Sequence, residues 1–369
     1  MIILLGQKNL HTTNLTPCRF IIMKNVIVFS FLILLTACNG ADSGPDVSHI
    51  KVNLEIKRFD EAFFKLDTNN LQQSLAQLQT QYPQFLPLFV SNVVGLGPMV
   101  DSNQLINPGI KKFLQLNKTV YDTSVIVHGN LQQYKAEMED GFRHLKYYYP
   151  AYSIPQVIAT IGPMDALAPM SNQTLTPNYI GTDFIAVGLQ FYLGSGFSIY
   201  NDPGYVSSVA PQYRSKRFSK EYITAEVFSL IIDDLYPDSS NRLPLIERFI
   251  EKGKRIHLLQ TFLPNKADSI LTGYTKEQLN WCSENERSIF NFFTQNNLLY
   301  ERDPALIQNF VNEGPFTQGM SEQSPGNIGV FVGWEIIKAY LKKTGAVTPD
   351  VLMKTPAKTI FERSAYRPR

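Results

Sequence analysis

Cysteine and histidine are scarce in this chain, and the scarcity excludes whole classes of chemistry. Three cysteines occur in 369 residues, Cys18, Cys38 and Cys282, too few and too dispersed for a disulfide framework or a cysteine-rich zinc site. Of five histidines, no two stand four residues apart. No helix can therefore present the paired imidazoles that a zinc peptidase needs. His49, His128, His144 and His257 each read as isolated surface or core residues. No Gly-x-Ser-x-Gly elbow, phosphate-binding loop or dinucleotide fingerprint stands between a strand and a helix. No apolar run approaches the roughly 20 residues of a membrane span. Neither sign of charge dominates, with 34 basic against 32 acidic residues, which gives no electrostatic reason to expect nucleic acid as a partner. No metal, no cofactor and no catalytic residue is expected.

What is present begins near the N-terminus. Met23-Lys24-Asn25 precedes the apolar run Val26–Leu35, which ends at Thr36-Ala37-Cys38. A cationic start, a short apolar stretch and a small residue before the cut make a secretory signal. Leu35-Thr36-Ala37-Cys38 resembles a bacterial lipobox, whose cysteine is acylated before cleavage. Residues 1–22 read as translated from an upstream start, 23–37 as the signal peptide and 38–48 as a lipidated, turn-prone tether. Residues 49–369 then form a single globular domain. Two or three acyl chains on Cys38 would make a lasting anchor. The expected location is the cell envelope, on the periplasmic face of the outer membrane. Cleavage removes Lys8, Arg19 and Lys24 and no acid, leaving 31 basic residues against 32 acidic. Cys282 remains as the one free thiol, beside Trp281 on an expected helix, and reads as a small core residue.

Periodicity gives a helix-rich α+β fold. Alternation predicts a half-buried strand over Ile50–Lys57. Continuous apolar segments at Gln156–Gly162 and Phe184–Leu193 predict central strands. Helices are expected over Thr68–Gln81, Ile106–Leu116, Leu131–Tyr148, Lys220–Tyr236 with Ser219 as cap, Leu243–Phe262 and Thr275–Asn296. A last helix is expected from Ser324 to Lys343, with Ser324 as cap and Pro325 in its first turn. It carries Gly326, Gly329 and Gly333 as a bare stripe beside Trp334. Close approach of another backbone would offset the roughly 2 to 3 kcal/mol that three glycines cost a helix. Glu226 and Asp233 lie on one flank of the Lys220–Tyr236 helix, and Asp234 falls inside its apolar arc, where an unpaired charge is costly. Gly194–Pro211 reads as a loop. The tyrosine-rich Tyr147–Tyr152 stretch suggests packing or a face for peptide or glycan.

Three segments carry a family resemblance. Arg58–Phe64, Phe249–Lys254 and, most specifically, Gly319–Tyr340 resemble the gliding-motility lipoprotein GldB family of Bacteroidetes, with the match running from about Ile50 to Leu352. The resemblance implies an envelope lipoprotein with partners in the gliding machinery and a role in assembly or interaction. The order of elements is also similar to zincin-type metallopeptidases. Where those carry His-Glu-x-x-His, this chain has Ala225-Glu226-Val227-Phe228-Ser229, and Glu251 stands near a third-ligand position. A degenerate zincin-like fold with a vestigial cleft at Glu226, Asp233 and Glu251 is the implication. With both imidazoles missing, hydrolysis through zinc is excluded by that alignment. A membrane-tethered hydrolase and a peptide- or glycan-binding module are the alternatives.

Overall fold

A computed structural model describes residues 44–100, 103–168 and 176–368. Cys38 and the signal-like segment lie outside the described residues. Val47 to Arg369 forms one compact unit, and among the described residues no helix is long and apolar enough to cross a membrane.

The centre is a four-stranded sheet in the order β1 (Ile56–Arg58), β2 (Gln156–Thr160), β4 (Phe184–Gly188), β3 (Asn178–Ile180). β1, β2 and β4 are parallel, and β3 runs antiparallel on the far edge. Alternate residues of the two central strands face opposite layers. Val157, Ala159, Ile185 and Val187 enter the larger core, while Ile158, Phe184 and Ala186 enter a smaller one. That is why these strands read as continuous apolar runs: both faces are covered.

The smaller layer is phenylalanine-rich. Helices α1 (Phe59–Phe64), α2 (Leu71–Gln81) and α3 (Ile106–Leu116) surround it, with Phe59, Phe63 and Phe89 meeting edge-on or offset at 4.8–5.3 Å. α2 buries the expected Leu71, Leu75 and Leu78. The larger layer holds α4 (Lys118–His128), α5 (Gln132–Tyr148), α6 (Ile223–Leu235), α7 (Leu245–Phe262), α8 (Lys276–Glu284), α9 (Glu286–Gln295), α10 (Pro304–Val311), α11 (Gly329–Thr344), α12 (Pro349–Lys354) and α13 (Ala357–Ser364). The architecture is helix-rich α+β.

The most extensive helix pair is α7 against α11. Phe249, Ile250, Ile336 and Ile337 are fully buried, each worth roughly 1.5 to 3 kcal/mol of transfer free energy. Glycines set the distance between the two helices. A Cβ on Gly333 would lie 1.7 Å from the Phe249 carbonyl oxygen, and one on Gly253 would lie 2.2 Å from the Gly333 carbonyl carbon.

Several elements differ from the sequence reading. β1 is shorter than Ile50–Lys57 because β2, its one strand neighbour among the described residues, pairs it from Ile56 onward. Upstream, the Leu54 amide donates to Glu139 Oε1 instead, at 3.0 Å. Thr275–Asn296 is two helices. Asn285 leaves helical geometry (φ −112°, ψ 13°) while its amide and its Nδ2 both donate to the Trp281 carbonyl. Helix α11 begins at Gly329 rather than Ser324. Asn327 is left-handed (φ 57°), and Gly326 packs on the backbone of Gly314. Ser324 closes a loop: its hydroxyl donates to the Ser321 carbonyl and accepts from the Thr317 amide. Ser219 makes no side-chain cap; a 3₁₀ turn, Lys220–Tyr222, precedes α6. Gly194–Pro211 is not structureless. It contains the short helix Pro203–Ser208, capped by Asp202, and buries Tyr200 and Tyr205.

Candidate functional site

Helix α6 carries Glu226 in its first turn, where the unpaired amide groups of a helix start favour a carboxylate. Glu226 lines a cavity of about 210 Å³ shared with Arg217, Lys252 and Arg255. α7 supplies Lys252 and Arg255, which are three residues apart and so lie on one face. Apolar side chains from three elements complete the wall: Ile256 and Leu259 of α7, Ile270, and Val330 of α11. An adjoining cavity of about 140 Å³ shares Arg217, Tyr222, Thr272 and Gly273 with the first.

The charges in this cleft are unevenly satisfied. Arg217 is ion-paired with Glu313, and Arg214 approaches the same carboxylate at 3.7 Å. Arg255 is paired with Asp233 and donates to the Tyr236 carbonyl at 2.7 Å. Glu226 and Lys252 form no ion pair or hydrogen bond with any described residue. Burial raises the Glu226 carboxyl above its ordinary value, with Arg217 pulling the other way. Burial pushes the Lys252 ammonium down to about 8. One wall of the cavity thus offers an unsatisfied carboxylate and another an unsatisfied ammonium, over an apolar floor.

The sequence-selected residues are dispersed. Glu226 is in the cleft, and Asp233 reaches its rim through Arg255. Glu251 points elsewhere. It pairs at 2.7 Å with Lys254, a fully buried lysine that also donates to the Met353 and Thr355 carbonyls at 3.2 and 2.7 Å and so fastens α12 to α7. Asp234, expected inside the apolar arc, is exposed and accepts from the Tyr152 hydroxyl at 3.1 Å, because α6 turns that edge outward at its last turn. Of the glycine stripe, Gly329 and Gly333 belong to α11, while Gly326 lies in the preceding loop and lines the smaller cavity. Trp334 donates from its indole to Gln260 Oε1 at 3.0 Å and stacks under Lys338. The Gly194–Pro211 loop does not line the cleft; Tyr213 and Arg217, just beyond it, do.

The zincin-like positions are placed equally plainly. Ala225 is buried, and both it and Ser229 line the larger cavity. Among the described residues no three His, Cys, Asp or Glu side chains cluster so as to hold a metal ion. His128 is buried against the Tyr134 hydroxyl, with its pKa lowered to about 4 by burial. His144 is bonded to the Asp140 carbonyl. Cys282 is fully buried, and burial raises its thiol well above the ordinary range. The tyrosine-rich segment is largely tied inward, Tyr149 to Tyr236 and Tyr236 in turn to Asp350.

Sequence reasoning missed Arg217, Lys252 and Arg255. Helical spacing alone does not single them out, since Glu251, Lys252, Lys254 and Arg255 are spread round α7 and Glu251 lies as close to Arg255 as Lys252 does.

No curated protein and no solved structure matches the chain, so the likeness to zincin-type metallopeptidases gains no support. A family model described as gliding motility protein GldB matches residues 41–368, nearly everything after the lipobox-like segment. The chain belongs to the gliding motility protein GldB family.

Proposed function

We propose that this protein is a non-catalytic component of the cell envelope, held to a membrane by lipid on Cys38 and engaging an envelope partner through the Glu226 cleft. The outer membrane, on its periplasmic side, is the proposed location. Family membership supports the gliding-associated envelope role, and the lipobox-like Leu35–Cys38 supports the anchor. The observation that carries the non-catalytic reading is the cleft's own lining. Glu226 faces cations, and the positions one before and three after it are Ala225 and Ser229, neither of which ligates a metal. Unsatisfied charge over an apolar floor suits recognition: a few polar groups set orientation while apolar contact adds affinity.

Three measurements test this. Mass spectrometry of the N-terminal peptide should find Cys38 acylated, and Cys38→Ser should release the protein from the membrane fraction. Metal analysis should find no stoichiometric zinc after mild chelation; zinc retained at one per chain would overturn the non-catalytic reading. A hydrolase is the second reading, favoured by Ser229 sharing the cavity with Lys252 and Glu226. Peptidase or esterase activity abolished by Ser229→Ala would establish it instead.

A further inference from the structure

The charges of the cleft specify the kind of partner segment that fits it. Resting on the reading above, we propose that the cavity takes the C-terminal end of a partner polypeptide, its terminal carboxylate on Lys252, its last side chain on the apolar wall, and a backbone amide on Glu226.

Five observations converge on this. Lys252 is a half-buried ammonium without an ion pair or hydrogen bond to any described residue, flanked by Arg255. An unpartnered cation in a partly dehydrated cavity is complementary to an anion, and burial already disfavours its charge. Arg217 and Arg255 already have carboxylate partners, Glu313 and Asp233. They supply field but not an open anion site, so the incoming carboxylate is directed to Lys252. Glu226 is the matching acceptor on α6, also without a hydrogen bond from any described residue, and it requires a donor. A free acid with an N–H group behind it supplies both, and every polypeptide ends in that pairing. Ile256, Leu259, Ile270 and Val330 give the terminal residue an apolar seat. The cavity, at about 210 Å³, is smaller than the roughly 300 to 1,000 Å³ of sites that engulf larger ligands. It has room for a chain end and a single side chain. A phosphate or other simple anion would satisfy Lys252 but leave the apolar wall and Glu226 without partners.

The test uses the full-length protein in detergent and two probes, acetyl-Ala-Ala-Leu as the free acid and as the C-terminal amide, titrated by calorimetry or by chemical-shift changes. The proposal expects the acid to bind at least about tenfold more tightly than the amide, the worth of one charge-assisted hydrogen bond. Lys252→Gln should abolish the preference and Lys252→Arg should keep it, each variant showing a wild-type melting curve. Inorganic phosphate at the same concentrations should not compete with the acid. Equal binding of acid and amide overturns the proposal, as does a preference that survives Lys252→Gln. If neither peptide binds at about 10 mM while a photocross-linker at Ser229 still captures an envelope protein in cells, the chain-end proposal falls and the cleft remains an interaction site. If the cross-linker captures nothing either, both readings fall.

Discussion

Gly333→Ala is the sharpest probe of how this fold is held together. In an isolated helix the change would be favourable by about 1 kcal/mol, because alanine is the better helix former. Here the added methyl would sit 1.7 Å from the Phe249 carbonyl oxygen and 2.4 Å from its carbon, where ordinary contact begins at 3.4 Å. The obstructing atoms are backbone, so no rotamer change relieves the overlap, and α7 and α11 must separate by more than an ångström. That separation opens the interface around Phe249, Ile250, Ile336 and Ile337, all fully buried. Overpacking that side chains can absorb costs about 1 to 3 kcal/mol. A backbone obstruction lies beyond the upper end, at about 4 kcal/mol, so the net loss after the propensity gain of about 1 kcal/mol is about 3 kcal/mol. For a unit as long as Val47–Arg369, with about 2.1 cal/mol/K of unfolding entropy per residue, that lowers the melting temperature by roughly 4 to 5 °C, readable by circular dichroism. Gly196→Ala is the control, because its added methyl meets nothing within 4 Å, and it should stay within about 0.5 kcal/mol of the parent. A Gly333→Ala protein that melts at or above the parent temperature would refute the close approach of the two helices.

Other predictions follow from the buried groups. Glu226 has its pKa raised by burial, so its charged form opposes folding at neutral pH. Glu226→Gln should therefore stabilise the protein in denaturant melts near about pH 8, with the gain shrinking as acid protonates the parent carboxylate; an equal gain at about pH 4 would refute the cause. His128 titrates near 4 when folded against 6.5 ordinarily. Unfolded chains thus bind the extra proton between those values, and stability should fall by up to about 3 kcal/mol as pH drops from 6.5 to 4. His128→Gln should flatten that part of the stability profile. Cys282 should resist thiol reagents in the native protein and react within minutes in denaturant; rapid native labelling would place it outside the core.

The fold was legible where one physical pattern dominated. Helix α3 matches its expected bounds at Ile106–Leu116, and α5 buries Tyr134, Met138, Phe142 and Leu145 at the expected spacing. β2 and β4 announced burial on both faces. Elements set by local backbone chemistry were not legible. A side chain competing for the Trp281 carbonyl bends the chain at Asn285, and a left-handed Asn327 delays the start of α11. Helix α4 has β-branched residues at Val120, Val125, Ile126 and Val127, which carry no helical signal of their own. β3 is a three-residue edge strand too short to show a period. The site was legible only in Glu226. Which of the four charges of Glu251–Arg255 face the cleft depends on how α7 is rotated against α11, and glycines at 253 and 333 fix that rotation.

A photocross-linking residue at Ser229, in cells carrying the otherwise unchanged protein, addresses the recognition cleft most directly. The account predicts a discrete cross-linked envelope protein that disappears when Lys252 is changed to Glu, while the protein itself stays folded and membrane-associated. An undiminished adduct in the Lys252→Glu protein, or partners captured only from surfaces away from the cleft, would contradict it.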